Sequence, residues 1–275
     1  MLTSIVLQLD PSREATLPKT NGHKVHGAFL DLVGQIDRDL ADRLHADESA
    51  KPFTVSALRG GKRQGTEVVV VPDRSCNIRL TSLDAALSAA LIEGDMRGDT
   101  LRVGEATFKI SALQTSAGDH RWAGRASYET LAHRFTNGET DLDPTLRIAF
   151  ESPTAFKRGN RSLPLPVPAL VFGGVMRKWR RHAPPSLRDV FGDWTLDGDV
   201  APVLLKRHDL RTRMLLFGKK GQQTGFSGEA TFQLPGEADS QYTGLLQLLG
   251  AFAFYAGVGY RTPWGMGQVQ TEVNQ

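Results

Sequence analysis

Residues 1–10 read MLTSIVLQLD, and residues 23–44 read HKVHGAFLDLVGQIDRDLADRL. In the first stretch Ile5, Leu7 and Leu9 occupy alternate positions, which predicts a β-strand with one buried face. In the second stretch apolar side chains recur at the three- and four-residue spacing of an amphipathic helix. These residues are Val25, Phe29, Leu32, Val33, Ile36 and Leu40. The chain is therefore expected to begin with a strand followed by a helix over about residues 23–44.

The rest of the first half continues this pattern of strands and helices. Strand character recurs at residues 53–58, 67–71, 76–80 and 106–113. Before the last of these strands, Thr81 or Ser82 can cap a second helix, whose apolar stripe begins at Leu83. The resulting order is β-α-β-β-α-β, which is the ferredoxin-like arrangement.

The second half repeats the same order without obvious sequence identity to the first. Helices are predicted over residues 168–182 and 240–256, and strands over residues 146–150, 203–210, 225–234 and 267–273. A short helix is expected over residues 127–134. We therefore predict the α+β class with two tandem ferredoxin-like (βαββαβ) domains, residues 1–125 and 145–275, joined by a connection over residues 126–144.

Composition narrows the class of protein further. The chain has 275 residues, enough for two domains of ordinary size. Its one cysteine, Cys76, forms no internal disulfide, so a reducing, cytoplasmic setting is expected. His, Asp and Glu show no metal-ligand spacing, and we predict neither a metal nor a cofactor. The N-terminus lacks signal-peptide features, and the longest apolar stretch, residues 245–260, is too short to cross a membrane.

Positive charge is concentrated in one part of the chain. Residues 151–225 hold 14 Lys and Arg against 6 Asp and Glu, although the net charge of the whole chain is only +3. The basic residues of this part that we single out are Lys157, Arg158, Arg161, Arg177, Lys178, Arg180 and Arg181. Arg177, Arg180 and Arg181 share one helical face, whereas Trp179 points away from it and is expected to pack. Such segregation indicates a polyanion site, with a merely solubilising face as the alternative.

A glycine-rich turn, GVGYRTPWGMG, occupies residues 257–267. Gly257, Gly259, Gly265 and Gly267 allow the backbone to approach a ligand closely and to direct N–H groups at it. Within the turn Arg261 supplies charge, and Tyr260 and Trp264 can stack on bases. Taken alone, the turn is equally compatible with an ordinary helix-to-strand connection that begins with a glycine cap.

Four segments, in order, resemble the CRISPR repeat-processing endoribonucleases of the RAMP superfamily. LHADESAKPFTVSAL (44–58) is similar to their N-terminal active-site region, and FESPTAFKRGNRSLPLPVPALVFGGVMRKWRRHAPP (150–185) to the start of their second domain. HDLRTRMLLFGKKGQQTGFSGEATFQL (208–234) resembles their central hairpin, and FYAGVGYRTPWGMGQV (254–269) their C-terminal glycine-rich motif. The resemblance implies the tandem ferredoxin-like fold and cleavage of RNA.

The resemblance also implies that His45 and Lys51 are catalytic. RNA carries its own nucleophile, the 2′-OH, so the reaction needs proton transfers and a cation rather than a metal-bound water. Histidine can perform either proton transfer near neutral pH, and lysine can stabilise the developing charge. The alternative for His45 is a residue that the helix dipole favours at a C-terminus.

One position departs from the family pattern. Some members have a tyrosine on the first helix, where this chain has Phe29 and Leu30. The second catalytic partner is therefore open, with His23 and His26 as substitutes that lie far from His45 along the helix.

These inferences predict a metal-independent endoribonuclease that cuts CRISPR precursor transcripts within repeats. Its products would carry a 5′-hydroxyl and a 2′,3′-cyclic phosphate. The predicted RNA-binding residues are Lys157, Arg158, Arg161, Arg177, Arg180, Arg181, Gly257, Gly259, Tyr260, Arg261, Gly265 and Gly267. The expected partners are CRISPR repeat RNA and other subunits of a CRISPR interference complex, with no membrane, and both a monomer and a homodimer are open. The alternative functions are a non-catalytic RNA-binding subunit of such a complex and a ferredoxin-like protein that binds no nucleic acid.

Overall fold

The computed structural model describes residues 1–46, 51–94, 96–137, 142–159, 161–198, 201–217, 221–236 and 239–274. These residues divide into two compact units. The first unit consists of the described residues of Met1–Arg125, Leu216–Gly221 and Arg261–Gly265. The second consists of those of Ala126–Leu215, Gln222–Tyr260 and Met266–Gln275.

The helices and strands of the first half of the chain are short and closely spaced. They are β1 (Leu2–Pro11), β2 (Ala15–Pro18), α1 (Gly22–Ile36), α2 (Arg38–Ala46), β3 (Phe53–Val55), β4 (Lys62–Gln64), β5 (Glu67–Val70), β6 (Cys76–Ser82), α3 (Ala85–Glu93), β7 (Thr100–Val103), β8 (Ala106–Gln114) and β9 (Gly124–Ala126).

The second half has fewer and longer elements. They are α4 (Tyr128–Thr136), β10 (Thr145–Thr154), β11 (Phe156–Arg158), β12 (Arg161–Leu163), α5 (Pro168–His182), β13 (Leu204–Leu216), β14 (Gln222–Gln233), α6 (Ser240–Ala256) and β15 (Val269–Thr271). Short 3-10 helices occupy Pro185–Leu187, Thr262–Trp264 and Glu272–Asn274.

The main sheet of the first unit has the order β3-β6-β1-β8-β7, with β9 also paired to β1. The path from β3 to β8 is antiparallel throughout. Helix α1 connects β1 to β3, and α3 connects β6 to β8, as the ferredoxin-like order requires. One strand differs from the prediction: β5 leaves the main sheet and forms a separate sheet of order β2-β5-β4.

The core of the first unit joins β1 to the apolar stripe of α1. Ile5, Leu7 and Leu9 are completely buried, as the alternating pattern predicted. Of the predicted stripe, Val25, Phe29, Leu32 and Val33 on α1 and Leu40 on α2 are buried as well. Ile36 differs, with 38% of its surface exposed, because α1 ends at this residue.

The single helix predicted over residues 23–44 is two helices. At Asp37 the backbone is extended, with φ −150° and ψ 106°, so α1 stops at Ile36 and α2 starts at Arg38. The Asp37 carboxylate accepts a hydrogen bond from the Leu40 backbone N–H at 2.9 Å, which is how an N-terminal cap stabilises a helix. The aspartate therefore ends one helix and begins the next, which carries His45.

The second predicted helix of the first half also begins at a different cap. Asp84, rather than Thr81 or Ser82, accepts a hydrogen bond from the Leu87 backbone N–H at 2.8 Å. Ser82 instead receives the Asp84 backbone N–H at 3.1 Å. The helix consequently starts at Ala85.

The sheet of the second unit has the order β13-β14-β10-β15. Together with α5 and α6 it repeats the ferredoxin-like connectivity, so the predicted α+β class with two such folds is confirmed. Both α5 and α6 span the predicted residues, 168–182 and 240–256. Residues 156–163, expected as loop, contain the β11–β12 hairpin. Within the predicted connection, α4 packs in the second unit, with Tyr128 against Phe252 of α6.

The cap at Asp37 leads to a stability prediction. We expect Asp37→Ala to lower the free energy of unfolding by about 1 kcal/mol, because the Leu40 N–H loses its acceptor. Asp37→Asn keeps a capping oxygen and should lower the free energy of unfolding by only a few tenths of a kcal/mol. Chemical denaturation of the three proteins measures the difference, and equal stability of the alanine and asparagine variants would contradict the capping role.

Candidate functional site

His45 lies in the last turn of α2, and its side chain is exposed. It lines a groove of about 600 Å³ formed by residues of α1, α2 and β7. The other charged residues that line this groove are Asp31, Arg38, Asp42 and Arg102. One histidine, two arginines and two aspartates therefore border one open groove. A histidine can move a proton there, and an arginine can stabilise the charge of a phosphate.

Lys51 lies against the end of the helix that carries His45. Its ammonium donates hydrogen bonds to the backbone carbonyl oxygens of Leu44 at 2.7 Å and His45 at 3.0 Å. Carbonyls in the last turn of a helix lack partners within the helix, and a cation is favoured there by the helix dipole. The structure therefore shows Lys51 holding the C-terminal end of α2. The intervening residues 47–50 lie outside the described part of the chain.

The predicted phosphate contacts of the 157–161 region lie on the β11–β12 hairpin. Lys157, Arg158 and Arg161 are all exposed. Arg158 and Arg161 are directly opposite each other in the antiparallel register. Like charges opposite each other destabilise a hairpin, and a bound phosphate would offset that repulsion.

On α5 the predicted basic face is also exposed. Arg177, Arg180 and Arg181 all reach solvent, and Arg180 donates a hydrogen bond to the Gly192 carbonyl at 2.9 Å. Trp179 is completely buried, with its ring centroid 5.1 Å from that of Phe252. The expectation that Trp179 packs is therefore confirmed.

Lys178 does not belong to that exposed face. Its ammonium donates hydrogen bonds to the carbonyl oxygens of Ala256 at 2.5 Å and Gly257 at 3.3 Å. Burial lowers the pKa of this ammonium to about 7. Lys178 thus fastens α5 to the end of α6 and the first glycine of the turn, instead of offering a charge to a ligand.

The four glycines of the turn have positive φ angles between 64° and 88°. At two of them a side chain would also collide with neighbouring backbone. A Cβ at Gly259 would lie 2.5 Å from the Ala155 carbonyl oxygen, and one at Gly265 would lie 3.0 Å from the Ala57 nitrogen. These glycines therefore permit both a left-handed backbone and close packing within their own units.

Several N–H groups of the turn are occupied within the protein. Val258 donates to Gly267 at 2.9 Å, and Gly267 donates to Pro153 at 3.1 Å. Tyr260 donates to Ala155 at 2.8 Å. The expectation that the turn directs its N–H groups at a ligand is wrong for these three.

Arg261 and the aromatic residues of the turn have distinct environments. The Lys157 ammonium lies 5.2 Å from the centroid of the half-buried Tyr260 ring. The Arg261 guanidinium lies 4.7 Å from the Phe217 ring centroid and 4.9 Å from that of Trp264. Arg261 therefore packs on aromatic rings within the first unit, where cation–π attraction adds to the contact.

Comparison with known proteins supplies the family. The model of the CRISPR Cas6 N-terminal domain matches residues 1–133, and that of the CRISPR-associated endoribonuclease Cas6 matches residues 148–269. Thermus thermophilus Cas6, in a product complex, is 30% identical, with a TM-score of 0.74 over 98% of this chain and 100% of that chain. This chain belongs to the Cas6 family of CRISPR-associated endoribonucleases.

Other solved structures extend the likeness. A second Cas6 product complex is 26% identical, with a TM-score of 0.72 over 98% of this chain and 99% of that chain. A Cas6-related protein from Pyrococcus furiosus is 13% identical, has a TM-score of 0.61 over 100% of both chains, and shows a shared fold. A search of curated proteins finds no match. Family membership makes this Cas6 chain an endoribonuclease that processes CRISPR repeat RNA, and the comparisons give no support to the non-catalytic alternative.

The substitutes considered for the second catalytic residue of this Cas6 protein pack against aromatic rings. His26 stacks on Phe53 with ring centroids 5.6 Å apart, and His23 meets the edge of Phe217 at 6.1 Å. Both histidines are half-buried. Neither His23 nor His26 is among the described residues that line the His45 groove.

Sequence reasoning missed the cations that accompany His45. Arg38 precedes His45 by seven residues on α2, and the acidic Asp42 precedes it by three. Helical periodicity therefore places all three side chains on one face. Arg102 gave no such signal, because β7 was not predicted. The strand predicted over residues 203–210 continues as β13 to Leu216, and its alternation places Arg207, Arg211 and Arg213 on one face.

Two features are absent from the residues that the structure describes. No group of three or more His, Cys, Asp and Glu side chains in this part of the chain could hold a metal ion. No helix there is long and apolar enough to span a membrane.

The close approach at Gly259 predicts a difference between two matched glycines. Gly259 and Gly98 have φ angles of +84° and +88°, but a Cβ at Gly98 would meet nothing within 4 Å. Gly98→Ala should therefore lower the free energy of unfolding only by the penalty of a left-handed backbone, roughly 1–2 kcal/mol. Gly259→Ala should lose clearly more, because the clash with Ala155 is added. Denaturant unfolding measures both, and equal losses would show that the close approach is unimportant.

Proposed function

We propose that this Cas6 protein cleaves CRISPR precursor transcripts within their repeats by a metal-independent transesterification. The 2′-oxygen attacks the adjacent phosphorus, the bond from phosphorus to the 5′-oxygen breaks, and the products carry a 2′,3′-cyclic phosphate and a 5′-hydroxyl. The observation that carries this proposal is the exposed His45 in a groove that Arg38, on the same helix, also lines. Such a groove offers proton transfer and charge stabilisation, which are the two things the reaction requires.

In this mechanism His45 performs one of the two proton transfers. A neutral imidazole accepts the proton of the attacking 2′-OH, or an imidazolium donates a proton to the departing 5′-oxygen. Histidine suits either task because it titrates near neutral pH. A similar Cas6 protein, 25% identical, has been solved as a variant in which a histidine is replaced by alanine. A histidine of that protein was therefore chosen for replacement, which supports a role for a histidine in this one.

Lys51 contributes to the reaction chiefly through the helix end. Its two hydrogen bonds to the Leu44 and His45 carbonyls hold the turn from which the imidazole projects. The ammonium also adds positive potential beside that turn. Removing Lys51 would therefore misplace His45 and weaken the local field together.

We propose that RNA affinity resides mainly in the second unit and in the glycine-rich turn. The exposed cations Lys157, Arg158, Arg161, Arg177, Arg180 and Arg181 would contact phosphates. The half-buried Tyr260 offers a ring for stacking, which Lys157 supports from 5.2 Å. Gly257, Gly259, Gly265 and Gly267 shape the turn, and Arg261 holds it through its aromatic contacts. Similar Cas6 proteins have been solved with a product and with a substrate mimic, which supports a repeat RNA ligand.

Replacement of His45 tests this proposal. We expect His45→Ala to slow cleavage of repeat RNA by roughly 10²–10⁴-fold, the usual contribution of a general acid or base. The dissociation constant for uncleaved RNA should stay near the wild-type value. Single-turnover cleavage and filter binding on the same RNA measure the two quantities.

His133 provides a matched control, because it is also an exposed histidine in the last turn of a nine-residue helix. His133→Ala should cleave at the wild-type rate, which separates catalysis from the effect of a histidine on a helix dipole. If His45→Ala also cleaved at that rate, the active site would lie elsewhere, and His23 and His26 would be examined next.

A further inference from the structure

The glycine-rich turn leaves α6 in a backbone conformation that only glycine adopts readily. Gly257, directly after the helix, has φ 64° and ψ 164°, which is strained for a residue with a side chain. The carbonyl groups at a helix end need donors from outside the helix. The donor that would continue the helix to the Ala256 carbonyl is the Tyr260 N–H, but that group donates to Ala155 at 2.8 Å instead.

Lys178 supplies a donor to this helix end. Its ammonium donates hydrogen bonds to the carbonyl oxygens of Ala256 at 2.5 Å and Gly257 at 3.3 Å. Burial lowers the pKa of the ammonium to about 7, because the charged form loses hydration. A methionine would fill a similar space without that penalty, but it would remove the donor from both carbonyls. The hydrogen bonds, rather than packing, therefore explain a lysine at this position.

The course of the turn from Gly257 to Tyr260 is tightly constrained. The hydrogen bond from the Tyr260 N–H to Ala155 fixes its far end. Between the two ends, a Cβ at Gly259 would lie 2.5 Å from the Ala155 carbonyl oxygen, so the backbone already runs against its neighbour. Only two residues separate Gly257 from Tyr260, so a displacement at Gly257 would be transmitted to the Tyr260 ring.

Tyr260 is the ring of the turn that we propose for stacking on an RNA base. It is half-buried, and the Lys157 ammonium lies 5.2 Å from its centroid. Stacking on a base requires the ring to hold one orientation with one face accessible. Lys178 fixes the backbone three residues before this ring, and it does so from a buried position.

We propose that Lys178 is a positioning residue for RNA binding, which holds the glycine-rich turn so that Tyr260 can stack on a base of the repeat. This inference rests on the proposed role of the turn in RNA affinity. Lys178 contacts the protein backbone and not the RNA, so its effect on affinity passes through Tyr260.

Binding of uncleaved repeat RNA by Lys178→Met tests the proposal. The variant keeps the length of the side chain but removes its N–H donors. The dissociation constant should rise by roughly 5- to 150-fold, which is the contribution of one stacked base. The cleavage rate constant at saturating protein should stay near the wild-type value, because His45 lies in the first unit.

A double-mutant cycle with Tyr260→Ala separates positioning from direct contact. If Lys178 acts through Tyr260, the double variant should bind no more weakly than Tyr260→Ala alone. The salt dependence of binding should be the same in Lys178→Met and the wild type, because no phosphate contact is lost. A phosphate contact made by Lys178 would instead give additive losses and a smaller salt slope.

Lys206 supplies the matched control, because it is an exposed lysine on β13 of the same unit. Lys206→Met removes the same charge but no donor to Ala256 or Gly257. Any effect of Lys206→Met on affinity should therefore add to that of Tyr260→Ala.

Hydrogen exchange reports on the turn itself. The Tyr260 N–H should exchange faster in Lys178→Met than in the wild type, whereas the amides of β1 should exchange at the wild-type rate. Lys178→Gln, which keeps N–H donors on a shorter side chain, should retain part of the affinity, and it carries the cycle if the methionine variant does not fold.

The outcomes separate this inference from the function it rests on. Wild-type affinity in Lys178→Met, or losses that add in the cycle with Tyr260→Ala, would overturn the role of Lys178 and leave the proposed function intact. Wild-type affinity in Tyr260→Ala would overturn the proposed stacking site in the turn, and this inference with it.

Discussion

The hydrogen bonds from Lys51 to the carbonyl oxygens of Leu44 and His45 are the contact on which the proposed active site depends. Helix α2 has only nine residues, too few to be stable without support at its ends. Asp37 caps its first turn and Lys51 closes its last. His45 projects from the turn that Lys51 holds, so the position of the imidazole follows from a cation used as a cap.

A lysine also holds a helix end in the second unit, where the Lys178 ammonium donates hydrogen bonds to the carbonyls of Ala256 and Gly257. In both places the sequence suggested a lysine that acts on RNA, whereas its ammonium donates hydrogen bonds to carbonyl oxygens at a helix end. Arginines form most of the cations that remain exposed, on the β11–β12 hairpin, on α5 and on β13. This division fits their chemistry, because a guanidinium binds phosphate oxygens in pairs and a compact ammonium fits a cluster of carbonyls.

Sequence patterns predicted most elements because their boundaries carry local signals. Helix α5 begins with Pro168, and Gly257 directly follows the last residue of α6, so both of these ends could be predicted from the sequence. The break at Asp37 was missed because the apolar stripe continues across it. Strand β7, and Arg102 with it, was missed because four residues show too little periodicity. Lys178 lies seven residues after Val171 and three after Val175, on the buried stripe of α5. Helical periodicity therefore predicts its burial, although the neighbouring arginines suggested an exposed charge.

In the proposed mechanism the RNA supplies its own nucleophile, so no metal-bound water is needed. The most direct measurement uses a repeat RNA with a single 2′-deoxy nucleotide immediately 5′ of the mapped cleavage site, incubated in EDTA beside the unmodified RNA. By that mechanism we expect the unmodified RNA to be cut and to leave a 2′,3′-cyclic phosphate, while the deoxy RNA binds but stays intact. Cleavage of the deoxy RNA, or loss of all cleavage in EDTA with recovery in magnesium, would contradict it.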